Sequence, residues 1–125
     1  MANTKQGTIL VVDDEEIMRE ILETLLTRAG YDVRLASSGT EGLELARALP
    51  FDAAIVDIMM PGLDGYETAR RIRAVDPDLP LIGQTAHAMQ EDRAHCIEAG
   101  MVDRVTKPID TEELVRSVLR HARRG

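Results

Sequence analysis

Aromatic residues are scarce in this sequence, which has two tyrosines, one phenylalanine and no tryptophan. That scarcity disfavours a protein that stacks nucleic-acid bases or sugars on aromatic side chains. The single cysteine, Cys96, excludes an internal disulfide and suits a reducing compartment. No apolar run approaches the roughly 20 residues of a membrane-spanning helix, and residues 1–7 lack the apolar region of a signal peptide. We therefore predict a cytoplasmic protein without membrane insertion.

Positive charge is also in short supply. The chain has 15 Lys and Arg residues against 22 Asp and Glu, a formal net charge of −7 at pH 7. Nucleic acid is not expected as a partner, because phosphate backbones are bound by clustered Lys and Arg. With 125 residues, 44% hydrophobic and 30% charged, the chain has the size and composition of one globular domain. We place this domain at 8–124, after a disordered or extended tail over 1–7.

Short apolar runs alternate with longer amphipathic segments along the chain. The predicted strands are Ile9–Val12, Asp32–Ala36, Ala53–Val56, Pro80–Gln84 and Met101–Thr106. A helix is predicted after each strand, the fourth over about 89–99. Strands that alternate with helices form a parallel sheet covered on both faces. We predict an α/β fold with a doubly wound, five-stranded parallel sheet in the order 2-1-3-4-5, a flavodoxin-like three-layer sandwich.

The first predicted helix carries its apolar residues at spacings of three and four. The resulting stripe consists of Ile17, Met18, Ile21, Leu22, Leu25 and Ala29. Gly30 follows as a C-terminal cap. Such a stripe is typical of a helix that packs one face on a sheet.

Polar side chains follow four of the predicted strands. They are Asp13 and Asp14 after the first, Asp57 after the third, Thr85 after the fourth and Lys107 after the fifth. Ligands of doubly wound sheets bind outside the carboxyl ends of the strands, so the topology gathers these residues at one edge. Converging carboxylates repel one another unless a cation holds them, and oxygen ligands without His or Cys favour Mg²⁺, with Mn²⁺ as an alternative. Lys107 and Thr85 suit phosphoryl oxygens, and Asp57 suits a nucleophile that forms an acyl phosphate.

Each of these residues also has a purely structural interpretation. Taken alone, Asp13 and Asp14 suit the N-terminal cap of the first helix, and Asp57 suits a cap or a loop. Thr85 and Lys107 alone would be ordinary. Their joint placement at the ends of four strands is what favours a phosphoryl-transfer pocket.

Four segments resemble the receiver domain of two-component response regulators, and the resemblance runs from about Thr8 to Arg123. The segments are residues 9–15 (ILVVDDE), 57–65 (DIMMPGLDG), 81–89 (LIGQTAHAM) and 106–109 (TKPI). The resemblance implies a signalling switch rather than an enzyme, one that assists its own phosphotransfer and dephosphorylation. It implies a histidine kinase or a histidine phosphotransfer protein as the phosphoryl donor. It also implies a downstream protein target on the face formed by the fourth helix, the fifth strand and the last helix.

The resemblance assigns roles within the acidic pocket. Asp57 resembles the phospho-acceptor. Asp14 and Asp57 resemble the direct magnesium ligands, with the backbone carbonyl of Met59 as the third. Asp13 resembles the acidic partner that acts on the metal through water.

The resemblance also assigns the remaining polar residues and exposes two departures. Lys107 resembles the lysine that pairs with the acceptor and then with phosphoryl oxygens, and Thr85 resembles the hydroxyl that moves toward the phosphoryl group. Receivers usually carry Tyr or Phe three residues before the lysine, where this chain has Arg104. We expect Arg104 to lie outward, because burying an unpaired guanidinium is costly; an exposed arginine without a role is the alternative. Gln84 stands where the family usually has an aliphatic residue.

Two other functions compete with a phosphorylated switch. An aspartate-nucleophile phosphatase of the haloacid dehalogenase type needs a second aspartate two residues after the nucleophile, and that residue here is Met59. A phosphorylation-independent adaptor with the same fold would be favoured by loss of a pocket residue, and all of them are present. Three arrangements of the domain stay open: a stand-alone regulator, part of a larger regulator, or part of a hybrid histidine kinase. The segment 85–89 resembles the receivers of hybrid kinases most.

Overall fold

The computed structural model describes residues 7–58, 65–85, 94, 96–106 and 110–122. The strands and helices are, in chain order, β1 (Gly7–Val12), α1 (Glu16–Arg28), β2 (Tyr31–Ala36), α2 (Gly39–Ala48), β3 (Ala53–Asp57), α3 (Gly65–Val75), β4 (Leu81–Thr85), β5 (Asp103–Thr106) and α4 (Thr111–His121). Residues 96–98 are also helical, and the rest of the helix predicted over 89–99 falls mostly outside the described residues. β1 begins at Gly7, the last residue of the predicted tail, and 1–6 are not among the described residues.

The five strands form one parallel sheet in the order β2-β1-β3-β4-β5, which confirms the predicted fold. The two central strands β1 and β3 carry continuous apolar runs, and Ile9–Val12 and Ala53–Val56 are fully buried. Such runs form where a parallel strand is covered on both faces. β2 and β5 are the edges of the sheet.

Two apolar layers cover the sheet, because alternate residues of each strand point to opposite faces. On one face Val12 and Val56 pack in a cluster with Leu43 of α2 and Ile72 of α3. On the other face the residues that alternate with them, such as Val11 and Ile55, pack with α1 and α4. The result is the predicted three-layer sandwich.

Short polar side chains cap the N-termini of α2 and α4. Ser38 caps α2, because its hydroxyl accepts a hydrogen bond from the Glu41 amide at 3.1 Å. The Glu41 carboxylate in turn accepts from the Ser37 amide, one residue earlier than an ideal capping box requires. Asp110 caps α4 by accepting from the amides of Glu112 and Glu113.

The predicted stripe on α1 is wrong at two positions. Leu22 and Leu26 are buried, whereas Ile17 is 73% exposed and Ile21 is 43% exposed. Residues of an α-helix advance by about 100° each, so Ile21 lies well round the helix from Leu22 and reaches the margin of the packed face. The spacing of the apolar residues was correct, but the centre of the buried face lies on Leu22 and Leu26.

Candidate functional site

The acidic residues meet because β1 and β3 are neighbours in register. Val12 pairs with Val56, so the residues that follow, Asp13 and Asp57, come side by side at the carboxyl ends of the two strands. Asp14 follows directly. One carboxylate oxygen from each of these three aspartates lies within 4.8 Å of the others. The topology therefore brings Asp57 into a single cluster with Asp13 and Asp14, which precede it by more than forty residues of sequence.

Burial strengthens the electrostatic repulsion between the carboxylates of this cluster. The exposed fraction is 0% for Asp13 and 1% for Asp57, whereas Asp14 is exposed. Water screens the charges of buried groups poorly, so the mutual repulsion of the carboxylates is stronger here than on an open surface. A hard divalent cation offsets that repulsion and prefers oxygen ligands, and the donor set of three carboxylates fits Mg²⁺.

Asp13 is held by hydrogen bonds from several directions. Its carboxylate accepts from the Glu15 amide at 2.9 Å through Oδ1 and from the Gln84 side chain at 3.2 Å through Oδ2. Its backbone carbonyl accepts from the Arg19 guanidinium at 2.8 Å, and its amide donates to the Ala36 carbonyl at 3.0 Å. Both carboxylate oxygens thus already accept protein hydrogen bonds, which fixes the orientation of the group.

The other predicted site residues lie at the neighbouring strand ends or outside the described residues. Thr85 is the last residue of β4, is 1% exposed, and pairs in register with Thr106, the last residue of β5. Because Asp57 pairs with Gln84, Thr85 is one residue further along the same sheet edge. Lys107 and Met59 fall outside the described residues, so their assignments remain predictions.

Gly65 brings the start of α3 against the end of β3. Its amide donates to the Ile58 carbonyl at 3.2 Å, and a Cβ at this position would overlap the Asp57 carbonyl oxygen and the Ile58 Cα. Only glycine permits so close an approach between the two backbones. This role was not predicted, although the glycine directly at a helix start within the matching segment 57–65 was a usable signal.

Arg104 lies on β5, away from the acidic cluster. Its side chain is half-buried and lines a surface cavity of about 340 Å³ together with Ile97 and Val102, which are 64% and 51% exposed. Val105, the next residue, is buried on the opposite face of the sheet with α1 and α4. Arg104 therefore faces the side of the sheet that carries the helical residues 96–98.

Comparison with known proteins decides the family. The model of the response regulator receiver domain matches residues 9–119. The chain belongs to this family. Receiver domains are signalling domains of two-component systems, and they interact with histidine kinases. Within the described residues, no helix of this receiver domain is long and apolar enough to cross a membrane.

Curated relatives of this receiver domain include regulators and a kinase. It is 42% identical over 119 residues to the response regulator MprA of Mycobacterium leprae, covering 92% of this chain and 52% of that protein. It is 35% identical over 116 residues to the sensor histidine kinase RcsC of Salmonella typhi, covering 93% of this chain and 12% of that protein. The receiver domain thus spans about half the length of the curated regulator and a small part of the kinase.

Two solved structures resemble this receiver domain in both fold and sequence. The receiver domain of the sensor histidine kinase PA1611 from Pseudomonas aeruginosa superposes with a TM-score of 0.85 at 37% identity, covering 94% of this chain and 98% of that one. That structure has a magnesium ion coordinated in its active site cleft. The chemotaxis protein CheY4 of Vibrio cholerae gives a TM-score of 0.88 at 28% identity, covering 93% and 98% of the two chains.

Proposed function

We propose that this receiver domain is a magnesium-dependent switch that accepts a phosphoryl group on Asp57. The observation that carries the proposal is the cluster of three carboxylates, whose oxygens lie within 4.8 Å at the carboxyl ends of adjacent strands. Asp57 is the member that ends the central strand β3. A nucleophile at this position stands in the crevice where ligands of doubly wound sheets bind.

Asp14 and Asp57 would hold the metal directly, together with the backbone carbonyl of Met59, and Asp13 would act through water. The hydrogen bonds to both oxygens of Asp13 support that division, since its carboxylate is already engaged by protein donors. Bound Mg²⁺ neutralises charge on the phosphoryl oxygens and on the carboxylates. Mn²⁺ is an alternative ion, because it also prefers oxygen ligands.

In the reaction, a carboxylate oxygen of Asp57 attacks the phosphorus atom of a phosphohistidine. The new P–O bond forms as the P–N bond breaks, and the imidazole leaves with the bonding electrons and takes up a proton. Lys107 and Thr85 donate hydrogen bonds to the phosphoryl oxygens. Water later attacks the acyl phosphate, which restores the Asp57 carboxylate and releases inorganic phosphate. Positioning and charge neutralisation supply most of the catalysis, as in other phosphoryl transfers.

The phosphoryl donor is a histidine kinase or a histidine phosphotransfer protein, and α1 offers it a docking surface. Ile17 is 73% exposed and Ile21 is 43% exposed on the first turns of this helix, which begins two residues after Asp14. Exposed apolar residues next to a reactive group are typical of a contact surface. The downstream target is a protein that binds the face around Arg104, where Ile97 and Val102 are also exposed.

The test is incubation with magnesium and phosphoramidate, a small donor with a P–N bond, followed by intact-mass measurement. We expect one added phosphoryl group in wild type, none in Asp57→Asn, and none in wild type when a chelator removes the metal. Asp52→Asn is the matched control, because Asp52 is buried at the opposite end of β3, and it should still be modified. Modification that persists in Asp57→Asn would reject Asp57 as the acceptor.

A further inference from the structure

Gln84 is a fully buried amide beside the acidic cluster. It pairs in register with Asp57 on the neighbouring strand, and its exposed fraction is 0%. The residue two positions before it, Ile82, packs in the apolar layer of α1 and α4, so Gln84 points to that same face. A buried amide is unfavourable unless its polar atoms find partners. The presence of a polar residue at this buried position therefore needs an explanation.

The amide reaches across one strand. β3 lies between β4, which carries Gln84, and β1, which precedes Asp13. The Gln84 Nε2 donates to the Asp13 Oδ2 at 3.2 Å, in a hydrogen bond that is buried and spans 71 positions of sequence. An ionised carboxylate only accepts hydrogen bonds, so the amide must present its NH₂ group to Asp13.

The other end of the amide is not satisfied within the described part of the chain. Gln84 Oε1 is buried and has no hydrogen-bond partner among those residues. An aliphatic side chain of similar size would fill the same space without this cost. What the glutamine adds is the contact with Asp13, one of the three carboxylates of the cluster.

We propose that Gln84 is a positioning residue, which holds the Asp13 carboxylate in the orientation that the metal needs and so tightens the binding of magnesium. The inference rests on the proposed function, since it assumes a metal at the cluster. Partners that orient a carboxylate at a metal site commonly change metal affinity when removed. Mg²⁺ demands a regular geometry while Ca²⁺ tolerates a loose one, so a held Asp13 also favours magnesium over calcium.

The experiment measures Mg²⁺ and Ca²⁺ affinity by calorimetry in wild type and Gln84→Met, which keeps the length of the side chain but removes its donor. We expect magnesium affinity to fall about tenfold and calcium affinity to fall less. Ser117→Ala is the matched control, because it removes a partly buried hydrogen bond, to Asp103, from a helix that carries no residue of the acidic cluster. It should bind both ions as wild type does. Gln84→Leu replaces Gln84→Met should the latter not fold.

A double-mutant cycle tests whether Gln84 acts through Asp13. In an Asp13→Ala background, adding Gln84→Met should change magnesium affinity less than twofold. A full tenfold loss there, unchanged magnesium affinity in Gln84→Met alone, or equal losses for both ions would each overturn the proposal. If wild type binds no magnesium, the proposed function is overturned as well. If wild type binds magnesium and is phosphorylated, and Gln84→Met behaves in the same way, only the role of Gln84 is overturned.

Discussion

The two ends of β3 each carry a buried aspartate, and the two are used differently. Asp52, just before the strand, is 9% exposed, and its carboxylate accepts a hydrogen bond from the Thr8 amide at 2.7 Å. Its own amide donates to the Thr8 carbonyl at 2.8 Å, so Asp52 joins the beginnings of β1 and β3. Asp57, at the other end, is 1% exposed and lies against two further carboxylates.

The difference shows how to separate a structural acid from a functional one. A buried carboxylate that meets a backbone amide stabilises the fold, because the amide satisfies the charge. A buried carboxylate that meets other carboxylates costs stability until a cation arrives. The type of residue and its burial are the same at both ends; the charge of the neighbours tells them apart.

Adding one methyl group beside either end of β3 should strongly lower the stability of the fold, and the effect should be larger at the carboxyl end. Gly65→Ala should lower the free energy of unfolding by about 3 kcal/mol, since the new Cβ would overlap the backbone at Asp57 and Ile58. It should also abolish magnesium binding, because the carboxyl end of β3 must shift. Chemical denaturation and calorimetry measure the two effects.

Gly7→Ala is the matched change at the amino end of β3, because Gly7 of β1 lies against Asp52. It should cost about 2 kcal/mol, because Gly7 has a φ of +154° and a Cβ would meet the Asp52 carboxylate. Magnesium binding should survive. Loss of magnesium binding in Gly7→Ala would contradict the separation of the two ends.

A smaller effect with opposite signs is expected when each aspartate loses its charge. In chelator, Asp57→Asn should raise the free energy of unfolding by about 1 kcal/mol, because one of three like charges disappears. Asp52→Asn should lower it by about 1 kcal/mol, because a charged acceptor becomes a neutral one. Denaturant titrations of both variants measure the difference. Changes of the same sign would mean that the carboxylates at the two ends have similar environments after all.

The smallest effect on stability is expected at Ile17, an exposed apolar residue in the first turn of α1, which begins two residues after Asp14. Ile17→Ser should change the free energy of unfolding by less than about 0.5 kcal/mol, because the side chain is 73% exposed. It should leave modification by phosphoramidate unchanged but slow phosphotransfer from a phosphorylated histidine protein. Leu22→Ala, on the buried face of the same helix, should cost about 3 kcal/mol. Equal phosphotransfer rates in wild type and Ile17→Ser would reject α1 as the docking surface.

Much of the fold follows from the sequence, because the two central strands are continuous apolar runs that end in acids. The order of the strands and the meeting of Asp13 with Asp57 follow from that pattern and from the handedness of the crossovers. The exposure of Ile17 does not follow, since a helical repeat defines a stripe but not which edge of it packs. The hydrogen bond between Gln84 and Asp13 could not be predicted from the sequence either, because it depends on one side chain reaching across the strand between them.

The edges of the sheet have a consequence for behaviour at high concentration. β5 is only four residues long and begins with Asp103 and Arg104, and β2 at the other edge exposes Asp32 and Arg34. Short edge strands with charged side chains resist the addition of a further strand from another molecule. Strand-to-strand self-association, the first step toward insoluble fibres, is thereby disfavoured. Copies of the domain can therefore be tethered close together without their sheets pairing edge to edge.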